Sequence, residues 1–213
     1  MNNSALSTAS PTVSIGMQLS QHPGCRAIFA AALLTWSTLA VAQQAAEPPA
    51  AASCVACHGP NGNSQTAQYP SIAAQPKTFL ENQLVLIREG LRPVPEMAAV
   101  VKGMSDETIT ALAAHYAAQR ATAPAGKPDT IKQTWGRDVA DKGLCGTCHL
   151  SDFRGQHQVP RLANQHEGFL VKSLKEFRDK PAPGRDTIMA ATLRGMTDDD
   201  LANVAHYLAY FRP

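Results

Sequence analysis

The sequence predicts an all-α protein made of two tandem helical domains. Three observations predict it. Apolar residues recur at helical spacing in two parallel segments, the alternation a half-buried strand needs is nearly absent, and a proline- and glycine-bearing stretch separates the two segments. The organisation expected is a leader over residues 1–42, a first domain over 43–122, a linker over 123–133 and a second domain over 134–213.

The leader rests on an apolar run over residues 27–41 that follows Arg26 and closes in Ala40-Val41-Ala42, the small-x-small pattern of a signal peptidase site. At 15 residues the run is short of the roughly 20 a membrane span requires. A cleavable signal peptide ending at Ala42 is therefore expected, with an uncleaved anchor as the alternative. Cys25 precedes the run and is badly placed for lipid attachment. The 26 residues ahead of the run are long for such a region, and a start at Met17 would shorten it.

In the first domain only Gln43 to Ser53, with Pro48-Pro49, lead into the first distinctive motif, so a truncated N-terminal helix is expected. Phe79-Leu80, Leu84 and Ile87 then put an apolar stripe on a helix. Gly90 to Pro95 read as irregular and lead to Met97. Met104 precedes Ser105-Asp106-Glu107, an N-cap with acidic first-turn residues, and Ile109 and Leu112 face the core of the helix that follows. Pro124, Gly126 and Pro128 mark the linker.

The second domain opens on a short helix expected over Trp135 to Gly143, without a counterpart in the first. It then repeats the order: Phe169-Leu170, Leu174 and Phe177, an irregular stretch from Pro181 to Gly184, Met189, Met196, and the cap Thr197-Asp198-Asp199 before Leu201 and Val204. A unit of this size buries a thin core by itself.

Each repeat begins with Cys-x-x-Cys-His, as Cys54-Val55-Ala56-Cys57-His58 and as Cys145-Gly146-Thr147-Cys148-His149. This is the attachment pattern of c-type haem, in which two thiols add to the vinyl groups of one porphyrin and the histidine ligates its iron. Zinc binding and a dithiol redox pair are the competing readings. Neither explains a histidine directly after both pairs, and a thioredoxin-like pair needs a βαβ context that this chain lacks. Two haem c groups are therefore expected, each filling the core of one domain, on Cys54, Cys57, Cys145 and Cys148 with His58 and His149 as iron ligands.

A low-spin electron-transfer haem carries a second axial ligand, and methionine raises its potential. Met97 and Met189 are chosen because they are expected to lie in irregular segments, where backbone can be shaped around an iron. They stand 39 residues after His58 and 40 after His149. Met104 and Met196 compete, but their place just before a helix cap suits a packing residue. His115 and His206, read as helix residues with a structural or surface role, and His157 and His166, at loop and helix-start positions, are weaker competitors.

The full chain has a formal charge of +2, and loss of the leader, which carries Arg26 and no acidic residue, leaves +1. Four propionates would make the loaded protein mildly acidic. No basic stripe points to nucleic acid.

His58-Gly59-Pro60-Asn61-Gly62-Asn63-Ser64 with Tyr69-Pro70-Ser71-Ile72-Ala73-Ala74-Gln75, and Val159-Pro160-Arg161-Leu162-Ala163-Asn164-Gln165-His166 in the second copy, resemble the bacterial dihaem cytochrome c4 family over essentially the whole mature chain. The resemblance implies two tandem class I cytochrome c folds with His/Met iron and attachment of haem on the periplasmic side. It also implies that the carbonyls of Pro70 and Pro160 accept a hydrogen bond from the axial imidazoles. The truncated start of the first domain and His149-Leu150-Ser151-Asp152-Phe153 in place of a glycine-bearing loop depart from the pattern.

The leading function is a periplasmic electron carrier that passes electrons towards a terminal oxidase or reductase. Its expected partners are redox proteins: a terminal oxidase, a quinol-oxidising complex or a dehydrogenase. Peripheral membrane association is compatible with the sequence. The alternatives are a dihaem enzyme of peroxidase or thiosulfate-oxidising type, or a cytochrome subunit of a dehydrogenase complex. A cysteine-ligated thiosulfate-oxidising haem is disfavoured, because no spare cysteine remains once the leader is removed.

Overall fold

The computed structural model describes residues 47–180 and 184–212. The expected leader, its cleavage site and residues 181–183 of the second irregular stretch lie outside them. Among the described residues the regular structure is helical, and the one strand-like feature is an isolated bridge between Gln156 and Val159.

The first repeat comprises α1 (Ala52–His58), α2 (Lys77–Arg88), α3 (Pro95–Val101) and α4 (Asp106–Ala117). The second comprises α5 (Thr130–Lys142), α6 (Cys145–His149), α7 (Glu167–Asp179), α8 (Thr187–Thr192) and α9 (Asp198–Ala209). Helices α6 to α9 repeat α1 to α4 in order, and α5 is extra.

The last helix of each repeat starts where its side chains can cap it. Ser105 Oγ accepts the Thr108 N–H at 3.2 Å. Thr197 and Asp200 form a reciprocal capping box, with Asp200 N to Thr197 Oγ1 at 3.1 Å and Thr197 N to the Asp200 carboxylate at 2.8 Å. An arginine stands in the last turn of the preceding long helix in both copies. Arg88 donates to the Met104 carbonyl and to Asp106, each at 2.8 Å. Arg178 donates to the Met196 carbonyl at 2.9 Å and to Asp198 at 2.6 Å.

Leu80, Ile87, Ile109 and Leu112 are buried in the first repeat, as are Leu170, Leu174, Leu201 and Val204 in the second. The expected stripes therefore face inward. The first core is small, built on Ala51, Leu80, Leu112, Ala113 and Tyr116. The second is larger because α5 lies across α9. A Cβ on Gly136 would fall 2.2 Å from the Asn203 carbonyl, so the two helices can meet this closely only at glycine. Phe153, Tyr207 and Phe211 add edge-to-face pairs with ring centroids 4.9 to 5.9 Å apart.

Helix α5 begins at Thr130 rather than near Trp135. Asp129 caps it, its carboxylate accepting the N–H groups of Ile131 and Lys132 at 2.8 and 3.0 Å. Ile131 and Trp135 are exposed, so the outer face of the helix masks the apolar periodicity. His206 ties this joint to the second repeat. Its Nε2 accepts the Asp129 N–H and its Nδ1 meets Glu167, both at 2.9 Å.

The described residues cluster as one compact unit, with the two repeats joined by buried polar bonds. Gln75 bonds to the backbone of Arg161, Gln165 bonds to the backbone of Ser71, and His166 Nε2 meets the Ser64 carbonyl at 2.8 Å.

Candidate haem centres

Helix α1 carries Cys54 and Cys57, and α6 carries Cys145 and Cys148. Positions i and i+3 share a helix face, so each pair presents two sulfurs on one side. Cys57 and Cys148 are exposed, and Cys54 and Cys145 are half-buried.

Each short helix ends on its histidine, and there the environment changes. His58 and His149 are only 7% and 4% exposed. Their Nδ1 atoms lie 2.8 Å from the carbonyls of Pro70 and Pro160 respectively. A carbonyl can only accept, so Nδ1 carries the proton and Nε2 keeps its lone pair. Burial holds both imidazoles below the ordinary histidine pKa, outweighing the upward pull of the proline bonds. Two neutral imidazoles are thus fixed in the tautomer that ligates metal through Nε2, each beside a thiol pair.

The chain beyond the motifs fits a group with carboxylate arms. Arg161 is 5% exposed and makes no ion pair among the described residues. Its guanidinium bonds only to backbone carbonyls, Ala73 at 3.0 and 3.2 Å and Ala163. Burial pulls its pKa down to about 10. A buried cation held by carbonyls alone is costly, and a propionate beside it would offset that cost. By contrast, the described residues contain no cluster of three or more His, Cys, Asp or Glu side chains able to hold a metal ion. The two cysteine pairs therefore do not converge as a shared zinc site would require.

Met97 and Met189 do not lie in irregular segments. Met97 is on α3 and Met189 on α8. Pro95 occupies the first turn of α3, where a missing N–H costs nothing, and Asp186 caps α8 by accepting the N–H groups of Ile188 and Met189 at 2.8 and 2.9 Å. Both methionines are half-buried, and Met189 packs on the second core. Met104 and Met196 pack on the first and second cores, with backbones fixed by Arg88 and Arg178.

The loops after the two histidines differ. Gly59 follows His58 with φ +73°, and a Cβ there would lie 2.0 Å from the Asn63 carbonyl. Leu150 follows His149 with φ 68° and ψ 159°, a region other residues leave to glycine. Replacing Leu150 with glycine should therefore stabilise the second repeat by on the order of 1 kcal/mol, after allowing for the greater freedom of glycine in the unfolded chain. Chemical denaturation checks this, and an unchanged or lowered midpoint would contradict it.

Comparison with known proteins places the chain in a family. The family model for cytochrome c matches residues 134–211, and that for cytochrome c oxidase, cbb3-type, subunit III matches residues 42–115. Cytochrome c4 of Azotobacter vinelandii is 30% identical over 198 residues, covering 83% of this chain and 94% of its own. The chain belongs to the cytochrome c4 family. The crystal structure of reduced recombinant cytochrome c4 from Pseudomonas stutzeri superposes with a TM-score of 0.69 at 27% identity, over 76% of this chain and 95% of that one. A protein named thiosulfate dehydrogenase electron acceptor, from Thiomonas intermedia, is 31% identical over 86% of each chain.

As a cytochrome c4 relative, the protein has two cytochrome c domains with two covalent haem c groups, and it is an electron carrier whose partners are redox proteins. Sequence reasoning overlooked Gln75, Arg161 and Gln165. A signal was present: both glutamines stand five residues after the proline of their repeat.

Proposed function

We propose that the protein is a periplasmic dihaem electron carrier in which Cys54 and Cys57, and Cys145 and Cys148, attach the haems. His58 with Met97, and His149 with Met189, serve as the axial ligands. Each haem when bound takes up and gives back one electron at its iron. The observation that carries the reading is the pair of buried histidines, each locked by a proline carbonyl with Nε2 left to donate. A fixed, neutral imidazole is what a ligand needs if its iron is to change charge without changing partners.

The leader over 1–42 is proposed to direct export, with the mature chain starting at Gln43. The domain division proposed is 43–122 and 134–213, with residues 123–133 between them. Electrons are proposed to pass to a terminal oxidase or reductase from a quinol-oxidising complex or a dehydrogenase. The Thiomonas relative's name supports a dehydrogenase as donor, which is a second reading of the donor rather than of the chemistry.

A carrier with both iron faces covered should neither bind carbon monoxide in the reduced state nor turn over hydrogen peroxide or thiosulfate. Spectra of the purified, reduced protein under carbon monoxide check this. Ready binding at one haem would favour an enzyme.

A further inference from the structure

The bonds between the repeats are reciprocal. Gln165, 2% exposed, accepts the Ser71 N–H at 2.8 Å and donates to the Ser71 carbonyl at 2.9 Å. Gln75, 4% exposed, accepts the Arg161 N–H at 2.9 Å and donates to the Arg161 carbonyl at 3.0 Å. Each amide thus grips, with two bonds, the residue directly after the proline that holds the other repeat's histidine.

The peptide group makes this more than a clamp between domains. The Ser71 N–H and the Pro70 carbonyl belong to one planar unit, as do the Arg161 N–H and the Pro160 carbonyl. A continuous chain therefore runs from Gln165 Oε1 through the Ser71 N–H and the Pro70 carbonyl to His58 Nδ1. A second runs from Gln75 Oε1 through the Arg161 N–H and the Pro160 carbonyl to His149 Nδ1. Hydrogen bonds in series polarise one another. A peptide whose N–H is engaged has a stronger acceptor carbonyl, which draws the Nδ1 proton and makes Nε2 a better electron donor.

We propose that Gln75 and Gln165 are positioning residues that act across the domain boundary, each tuning the reduction potential of the haem held by the other domain. The proposal rests on His58 and His149 being the axial ligands. Its sign follows from the chemistry. A more strongly donating imidazole favours ferric iron, so loss of Gln165 raises the potential of the haem on His58, and loss of Gln75 raises that of the haem on His149.

The test compares Gln165→Met and Gln75→Met in the full two-haem protein, by potentiometric titration and by NMR of the reduced protein labelled with 15N at histidine. The wild type should give two Nδ1–H resonances displaced by haem ring current. The His58 resonance is identified by its proximity to Tyr69, whose ring centroid lies 6.5 Å away. Absence of both resonances would overturn the ligand assignment, and the proposal with it. With both present, Gln165→Met should move the His58 resonance upfield and raise the potential of that haem, leaving His149 nearly unmoved. Gln75→Met should do the reverse. Gln165→Glu keeps an acceptor for the Ser71 N–H and should hold the His58 haem at or below its wild-type potential, which keeps the test sharp if the methionine variant folds poorly. Shifts within the mutated domain, equal shifts at both haems, no shift in either methionine variant, or a raised His58 potential in Gln165→Glu would each overturn the proposal while leaving the ligand assignment intact.

Discussion

Replacing Cys54 and Cys57 together with alanine should remove one haem and unfold the first repeat, while the second keeps its haem. The asymmetry follows from the cores. Among the described residues the central cluster of the first repeat is small, Ala51, Leu80, Leu112, Ala113 and Tyr116, so the porphyrin must supply much of its apolar interior. The second has α5 across α9 and the Phe153–Tyr207–Phe211 triad besides its haem. Intact mass should show a single haem, and far-ultraviolet circular dichroism should show a loss of helix matching α1 to α4. The converse variant, Cys145→Ala with Cys148→Ala, should leave more residual helix. Equal losses in the two variants would contradict this view of the cores.

The second large effect is expected at Met189. Met189→Ala should abolish the sulfur-to-iron charge-transfer band of the second haem and lower its potential by on the order of 100 mV, within the roughly 0.8 V that axial ligands control. It should also open that iron to carbon monoxide. Met196→Ala should leave the band in place. Met196 is half-buried against the second core, so its loss should cost about 2 kcal/mol of stability, near the low end for truncating a packed methionine. Spectroscopy and denaturation of the two variants check this together. A band lost in Met196→Ala and kept in Met189→Ala would exchange their roles.

Local signals were the legible part of this fold. Ser105 and Thr197 announce their helices because a cap acts within one turn, and the stripes through Leu80 and Ile87 or Leu170 and Leu174 follow from periodicity alone. The segment around Met97 misled because Pro95 reads as a breaker from within a run, yet at the first turn it starts a helix, and Met189 lies on a helix of six residues that Asp186 caps. Asp129 set the start of α5 further upstream than the apolar pattern indicated. The thiol pairs and histidines were legible because the cysteine spacing is dictated by the porphyrin. Arg161 and the two glutamines were not, because their partners lie 86 to 94 residues away or on the same buried loop. Only the recurrence of glutamine after each proline hinted that the two repeats face each other.

The central claim is that two irons, each held between a histidine and a methionine, exchange electrons without changing ligands. A redox titration of the purified wild-type protein, followed through its optical spectrum, tests it most directly. The protein should take up two electrons in all, one per haem, with both irons low-spin throughout and the sulfur-to-iron band disappearing in step with reduction. Uptake of a single electron, or an iron that turns high-spin on reduction, would contradict the account.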